Sequence, residues 1–402
     1  MIKDNYLDIS KIIRDKKVLK LFKTVESVGG ILRFVGGSVR DALAGIEGFD
    51  LDLATDLSPD ELVEACEEKG LRTVPIGIKY GTVGVIIDNS LLEVTSLRKD
   101  LETDGRHATK VEFTADWEID ASRRDLTINA VYADEKGHVF DYYNGVEDLE
   151  KGIVRFIGKP DDRIKEDYLR ILRFFRFHSI FSKGKIDEAA LKACIKHRKG
   201  LKKLSIERIS KELEKIMLTP KAVETVKIML DNDILDFILP NSKHWDEFYF
   251  MTEMTKGKKF LNESIRRMFV MYFPDKKLAA NLAIRLKMTR KHRECMMAWS
   301  EPVLLEEFLN EDSLLRLVYR HGKEFCKDKM LIEMARKTKE VKGWEALFEK
   351  IDGMIVPILP IRGKDLVTLG IENTRIGQRI KELEEIWIES GFKLSRNELL
   401  KI

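Results

Sequence analysis

The chain lacks most of what would mark an exported, membrane-bound or disulfide-stapled protein. Its four cysteines, Cys66, Cys194, Cys295 and Cys326, are far apart and form no CxxC pair. That argues against a disulfide framework or a zinc site and points to reduced thiols in a cytoplasm. Residues Met1 to Tyr6 carry no apolar signal core, and no run of ~18 uninterrupted apolar residues occurs. A soluble, cytoplasmic protein that makes no use of a membrane is therefore expected. Nor does one charge predominate: 71 Lys and Arg against 68 Asp and Glu leave a net +3. Binding to nucleic acid would have to come from local clusters instead of a global field. Internal repeats and low-complexity tracts are also absent.

What is present is length and charge. A chain of 402 residues is long enough for two or more domains, and 35% charged residues exceeds the usual ~25%. Basic clusters occur at Lys196-His197-Arg198-Lys199 with Lys202-Lys203, at Lys256, Lys258 and Lys259, and from Arg285 and Lys287 to Arg290-Lys291-His292-Arg293. Each by itself reads equally as a solvated helix face. The first third alternates helical and strand patterns. Val18 to Val28 reads as a helix, Ile31 to Val35 as a strand, Ser38 to Leu43 as a short helix, and Phe49 to Ala54 as a second strand. Ser58-Pro59-Asp60-Glu61 predicts a capped helix start. Strands are expected at Gly81 to Ile87 and Leu91 to Leu97, and a long polar loop from Lys99 to Asp116. From Asp161 to Ile180 a long helical pattern begins, and nearly everything after it reads as helix. The expected organisation is an α+β head over 1–155, a helical neck over 156–240 and a helical body and tail over 241–402.

The chemistry concentrates in the head. On a strand at Phe49 to Ala54, Asp50 and Asp52 share one face, held ~6 to 7 Å apart, while Leu51 and Leu53 point into the core. Such a pair can bridge hard divalent cations, but a DxD by itself also fits a solvated pair near a turn. Its surroundings raise its standing. Gly36-Gly37 sits between a strand and a helix, where backbone N–H groups can receive phosphate oxygens, and Arg40 would add a charged donor. Glu93 reads either as a third acidic group from a neighbouring strand or as an exposed strand residue. Arg123-Arg124-Asp125 reads either as a phosphate- or ribose-binding pair or as a surface ion pair.

Four segments carry a family resemblance: Gly36-Gly37-Ser38-Val39-Arg40-Asp41, Asp50-Leu51-Asp52-Leu53-Ala54-Thr55, Arg123-Arg124-Asp125-Leu126-Thr127-Ile128-Asn129-Ala130, and Glu166-Asp167-Tyr168-Leu169-Arg170-Ile171-Leu172-Arg173. In order and spacing they resemble the bacterial class II tRNA nucleotidyltransferase/poly(A) polymerase family. The likeness covers roughly residues 30 to 240, and Ile361 to Gly370 looks more loosely like the tail of CCA-adding enzymes. It implies a DNA polymerase β-like nucleotidyltransferase head followed by an extended all-helical neck, body and tail. The activity it implies is addition of C, C and A to tRNA 3′ ends from CTP and ATP, without a template. By match, Asp50 and Asp52 would hold Mg²⁺, with Glu93 as the further acidic candidate. Gly37, Arg40 and Arg124 would contact phosphates and sugar, Asp167 and Arg170 would read the base, and Arg173 and Arg176 would complete the nucleotide site. The helical part would hold the acceptor stem and T arm of tRNA. No obligatory protein partner is inferred.

Physical chemistry allows this assignment without requiring it. Asp167, Arg170, Arg173 and Arg176 recur every three residues, so on one continuous helix they would wind around it by about 60° per step. Asp167 and Arg170 at i and i+3 would then be neighbours. A carboxylate accepts from an exocyclic amine and an Arg donates to a ring nitrogen or carbonyl, a combination that selects C and A over G and U. An amphipathic helix with ion pairs is the plainer reading of the same four residues. Pro75 to Val85 looks like the CCA-adding version of this strand pair, which disfavours poly(A) addition. The full-length segment Arg98 to His107 disfavours an enzyme adding only CC, although Ala108 stands where many relatives have Pro. A small-molecule nucleotidyltransferase would need no helical arm, and a non-catalytic RNA-binding protein would need no Asp pair.

Overall fold

The computed structural model describes residues 6–8, 17–47, 51–106, 108–239, 242, 244–258, 260, 263–338 and 340–402. Asp50, His107 and Lys259, each singled out above, lie outside the described residues. The chain divides into two compact units, Met1–Pro240 and Asn241–Ile402. Residues 156–240 thus share a compact unit with the α/β part.

Unit 1 is built on a mixed seven-stranded sheet. Its strands are β1 (Leu32–Val35), β2 (Asp52–Thr55), β3 (Arg72–Gly77), β4 (Thr82–Ile87), β5 (Ser90–Ser96), β8 (Val131–Ala133) and β9 (Val139–Asp141), in the order β3-β4-β5-β2-β1-β8-β9. Only the central β2–β5 pair is parallel; the other neighbours are antiparallel. On one face, helices α1 (Lys17–Glu26), α2 (Gly37–Leu43) and α3 (Pro59–Glu68) contribute to a core with Phe22, Phe34, Val39, Leu53, Leu62, Val83 and Val94. The alternation of strand side chains sends Leu53 into this core and leaves Asp52 exposed beside it. Helix α3 begins as its sequence predicts. Ser58 accepts from Glu61 N–H, Glu61 reaches back to Ser58 N–H, and Pro59 occupies the first turn.

The segment expected as a polar loop is an antiparallel ribbon, β6 (Arg98–Thr103) paired with β7 (Ala108–Phe113). No residue of either strand is buried, so the sequence carries no period-2 apolar signal to announce it. The ribbon is anchored at its tip, where Gly105 pairs with Asp167 and accepts a hydrogen bond from Tyr168 N–H at 2.9 Å.

After α4 (Trp117–Ser122) and α5 (Gly145–Lys151), the unit turns helical. Here the second expectation needs correction. The pattern from Asp161 to Ile180 is two helices, α6 (Pro160–Glu166) and α7 (Leu169–Phe181), interrupted at Asp167. Asp167 is extended, with φ −153° and ψ 109°, and its Oδ1 accepts Leu169 N–H at 3.0 Å. An Asp bonding its own downstream backbone competes with helix continuation, which explains the break. Helices α8 (Glu188–His197), α9 (Ile206–Met217) and α10 (Ala222–Asp231) complete the unit.

Unit 2 is built of helices joined by loops, from Trp245–Met254 to Arg396–Leu399, with no strand assigned among its described residues. Its buried helix Lys323–Arg336 carries Asp328 paired with Arg266, and Lys329 paired with Glu333. A smaller apolar cluster joins Leu366, Leu383, Trp387 and Leu399 near the end of the chain. Among the described residues, no helix is long and apolar enough to cross a membrane.

The capping box of α3 gives a direct stability test. Ser58→Ala is expected to destabilise unit 1 by about 1 kcal/mol, measured as a lower urea midpoint with faster amide exchange at the start of α3.

Candidate functional site

A cleft of about 820 Å³ opens within unit 1, where the central strands of the sheet, α2, the segment 123–129, α7 and α9 meet. Of the ten residues singled out from the sequence, nine line it: Gly37, Arg40, Asp52, Glu93, Arg124, Asp167, Arg170, Arg173 and Arg176. The tenth, Asp50, is the one outside the described residues.

At the sheet, Asp52 and Glu93 are direct partners across the parallel β2–β5 ladder. Adjacent strands put their Cα atoms roughly 4.8 Å apart, so both carboxylates emerge side by side. Gly36, with φ +61°, turns the chain out of β1, and Gly37 opens α2 against this pair. A Cβ on Gly37 would stand 3.0 Å from Asp52 Oδ2, so any side chain there would crowd the carboxylate. Ser38 Oγ donates to Val35 O and Asp52 O, which fixes the turn to both strands. Helix α2 has only seven residues, so its backbone N–H groups matter more here than a helix dipole.

The arginines of the cleft are each held by a named partner. Arg40 donates to Asp41 through Nε and Nη2 at 2.9 Å, donates to Asn129 through Nη1, and lies over the rings of Phe177 and Phe181. Burial pulls its guanidinium below the usual value, and Asp41 offsets part of that. Asp120 is buried on α4 and accepts from Arg123 at 2.6 Å, Arg124 at 2.8 Å and the Tyr132 hydroxyl at 2.9 Å. Its burial would raise its pKa, but Arg124 and Arg123 outweigh this and hold it well below the usual carboxylate range. Asp125 does the same for α7. It accepts Arg173 Nε at 2.5 Å, Asn129 Nδ2 at 3.0 Å and Leu126 N–H at 2.9 Å. Burial opposes its ionisation and the Arg173 charge prevails, so its pKa is also depressed. Arg40, Asn129, Asp125 and Arg173 thus form one hydrogen-bonded chain from α2 to α7.

Along α7 the sequence reading is only partly met. Asp167 and Arg170 both face the cleft, but not as i, i+3 neighbours on one helix, and each has its own partner. Asp167 Oδ2 accepts Arg208 Nη2 at 2.7 Å, whereas Arg170 donates to Glu166 at 2.6 Å, Arg123 O at 2.8 Å and Arg163 O at 3.2 Å. Arg176 lines the cleft and is also in an ion pair, with Glu212 at 2.8 Å.

One whole wall went unnoticed in the sequence. Helix α9 sets Arg208 on Asp167, Glu212 on Arg176, and Lys215 on the cleft lining. Their i, i+4, i+7 spacing is the only sequence signal, and it resembles any amphipathic helix. The basic cluster at 196–203 is largely engaged within the fold: Lys196 and His197 on Asp161, Arg198 on Asp233, Lys202 over Phe237 and Lys203 over Tyr168.

Comparison with known proteins agrees with this geometry. Residues 32–155 match the family model "Poly A polymerase head domain", and residues 185–245 match "Probable RNA and SrmB- binding site of polymerase A". The chain is 33% identical over 379 residues to the human mitochondrial CCA tRNA nucleotidyltransferase 1, covering 92% of this chain and 85% of that one. It is 37% identical over 229 residues to a CCA-adding enzyme of Streptococcus gordonii, 57% of this chain and 56% of the relative. Its fold resembles that of the Bacillus stearothermophilus CCA-adding enzyme crystallised with CTP, with a TM-score of 0.73, 21% identity and 93% of each chain covered. A Thermotoga maritima CCA-adding enzyme complexed with tRNA aligns with a TM-score of 0.67 at 20% identity, over 99% of this chain and 98% of that one. By class, then, the chain is a nucleotidyltransferase. It belongs to the CCA tRNA nucleotidyltransferase/poly(A) polymerase family.

The Asp125–Arg173 pair predicts a pH dependence. Because the folded-state pKa of Asp125 is depressed, its contribution to stability is full above the unfolded value of about 4 and is lost as pH falls through the folded value. Asp125→Asn is expected to cost roughly 3 kcal/mol at pH 7. The gap to the unmodified protein should narrow below about pH 4 in acid-unfolding experiments.

Proposed function

We propose that this protein adds C, C and A in turn to the 3′ end of tRNA, using CTP and ATP and releasing pyrophosphate. The observation that carries the reading is the cleft itself, which joins a carboxylate pair on the sheet to an arginine-lined helix across less than one domain. Family membership supports the same reaction.

Nucleotidyltransferases of this family require a divalent metal, and Mg²⁺ is the ion we assign. The donor set fits: Asp52 and Glu93 offer adjacent, exposed carboxylate oxygens of the hard type such ions prefer. Among the described residues no group of three acidic, His or Cys ligands occurs, and we assign Asp50 as the further metal carboxylate by its motif. When bound, the metal supplies charge neutralisation at the reacting phosphate and activation of the attacking hydroxyl.

The protein's own groups do the rest. The Gly36-Gly37 backbone and Arg40 receive triphosphate oxygens, and Arg124, locked by Asp120, contacts the phosphates and sugar. Asp167 accepts the exocyclic amine that C and A share. Arg170 has three donors engaged within the fold, which leaves two of its five N–H groups for a base edge. Arg173 and Arg176 line the path between base and phosphates. The helical residues after 155 hold the acceptor stem and T arm of tRNA through phosphates and A-form shape, a role supported by the RNA-binding family model over 185–245. The four free cysteines, three of them buried, fit a reducing compartment such as the cytoplasm.

The test is end extension in Mg²⁺ of tRNAs ending before CCA, after C and after CC, with CTP and ATP supplied separately and together, followed by 3′-end sequencing. Completed CCA ends are expected from all three. Long A tails, or products confined to one step, would show a poly(A) or partial enzyme. Asp52→Ala should lower the rate by at least about 10³-fold, the scale of losing a metal ligand at the reacting centre.

Asp167→Ala is expected to leave addition measurable while eroding nucleotide choice. Discrimination against GTP and UTP should fall by about 10- to 100-fold, the scale of one charged hydrogen bond. Single-nucleotide incorporation rates measure it.

A further inference from the structure

The cations lining the cleft are tied into the fold with one conspicuous exception. Arg40 is held by Asp41 and Asn129, Arg98 by Asp100, Arg123 and Arg124 by Asp120, Arg170 by Glu166, Arg173 by Asp125 and Arg176 by Glu212. Lys215 lines the same cleft, is exposed, and has no acidic partner within salt-bridge distance among the described residues. A compact, mobile ammonium left unpaired among fixed guanidiniums is suited to an anion that arrives from solution.

Its position says which part of the ligand it meets. Arg208 contacts Asp167 and Glu212 contacts Arg176, so α9 follows α7 in the same sense. Lys215 lies about 10 Å along α9 from Arg208, and roughly one turn beyond Glu212. That level matches the stretch of α7 around Phe177 to Phe181, over whose rings the Arg40 guanidinium lies, and Phe177 and Ile180 line the cleft with Lys215. Asp167, proposed to read the base, is therefore at one end of the cleft, and Lys215 lies toward the end where Arg40 meets Phe177 and Phe181.

We propose that Lys215 binds the terminal phosphates of the incoming nucleoside triphosphate, the portion that departs as pyrophosphate. The proposal rests on the reading of the cleft as a nucleotide site, and it adds a ligand-binding residue from a helix that none of the sequence motifs includes. Lys215 supplies a positive charge that favours the triphosphate over a nucleotide lacking its outer phosphates, at the end opposite the base.

Calorimetric titration tests this without turnover. CTP and CMP would each be titrated, with Mg²⁺ present, into the full-length protein and its Lys215→Gln and Lys215→Arg variants. Lys215→Gln should weaken CTP by about tenfold, the scale of one charge-assisted contact, while CMP binding stays unchanged. Lys215→Arg should recover most of the CTP affinity. Equal weakening of CTP and CMP would indicate a structural role and overturn the proposal, as would unchanged CTP binding. Weakened binding of tRNA lacking CCA, with CTP unaffected, would instead assign Lys215 to an RNA phosphate and overturn it as well. If the unmodified protein bound neither nucleotide, the reading of the cleft would fail and this inference with it.

Discussion

Seven arginines line one cleft, and their mutual repulsion is the constraint around which unit 1 is organised. Guanidiniums left to themselves would spread into solvent. Here buried carboxylates hold them in place, and Asp125 is the central one. It draws Arg173 of α7 against the loop that follows α4 and, through Asn129, reaches Arg40 on α2. Asp120 performs the same service for Arg123 and Arg124. Each acid is desolvated, which would favour its neutral form, and each stays ionised because the cation it restrains is close. The charges lining the cleft are thereby oriented by the fold itself, and on the proposed reading a triphosphate meets them without reorganisation.

Much of this was legible in the sequence because motif residues carry their own local chemistry. Gly36-Gly37 and Arg40 lie where a strand-turn-helix reading puts them, Asp52 where strand alternation does, and Ser58 caps its helix as Ser-Pro-Asp-Glu implies. Glu93 was ambiguous in sequence because burial patterns cannot reveal a parallel partner 41 positions away in the chain, and only the β2–β5 register sets it beside Asp52. The β6–β7 ribbon was hidden because neither of its faces is buried. The break at Asp167 was hidden for another reason. Apolar periodicity continues across it, while the interruption depends on a single side chain bonding the backbone and on a distant arginine. The contribution of α9 was least visible, since Arg208, Glu212 and Lys215 acquire meaning only once α7 is packed against them.

The two helices divide the labour in a way neither shows by itself. Helix α7 presents Arg170, Arg173 and Arg176 to the cleft, and their partners come from more than one element. Asp167 and Arg176 receive a partner from α9, whereas Arg173 takes its partner from the α/β part of the unit. The cleft is accordingly tied to α9 at both ends of this row and to the α/β part at its middle.

The interruption between α6 and α7 has a mechanical meaning. Asp167 is extended, and its carbonyl makes one bond into α7, accepting Arg170 N–H at 3.0 Å. Rotation about its own φ and ψ therefore puts that one bond and the Gly105 bridge at stake, whereas within a continuous helix turning a carboxylate would mean unwinding a turn. The neighbouring ribbon meets the backbone at this same point, through Gly105. The chain thus contains a joint, a place where one side chain can be re-aimed while the two rods on either side remain rigid. On the proposed reading of Asp167 as the base-selecting carboxylate, the group that meets two different bases sits at this joint and not inside either rod.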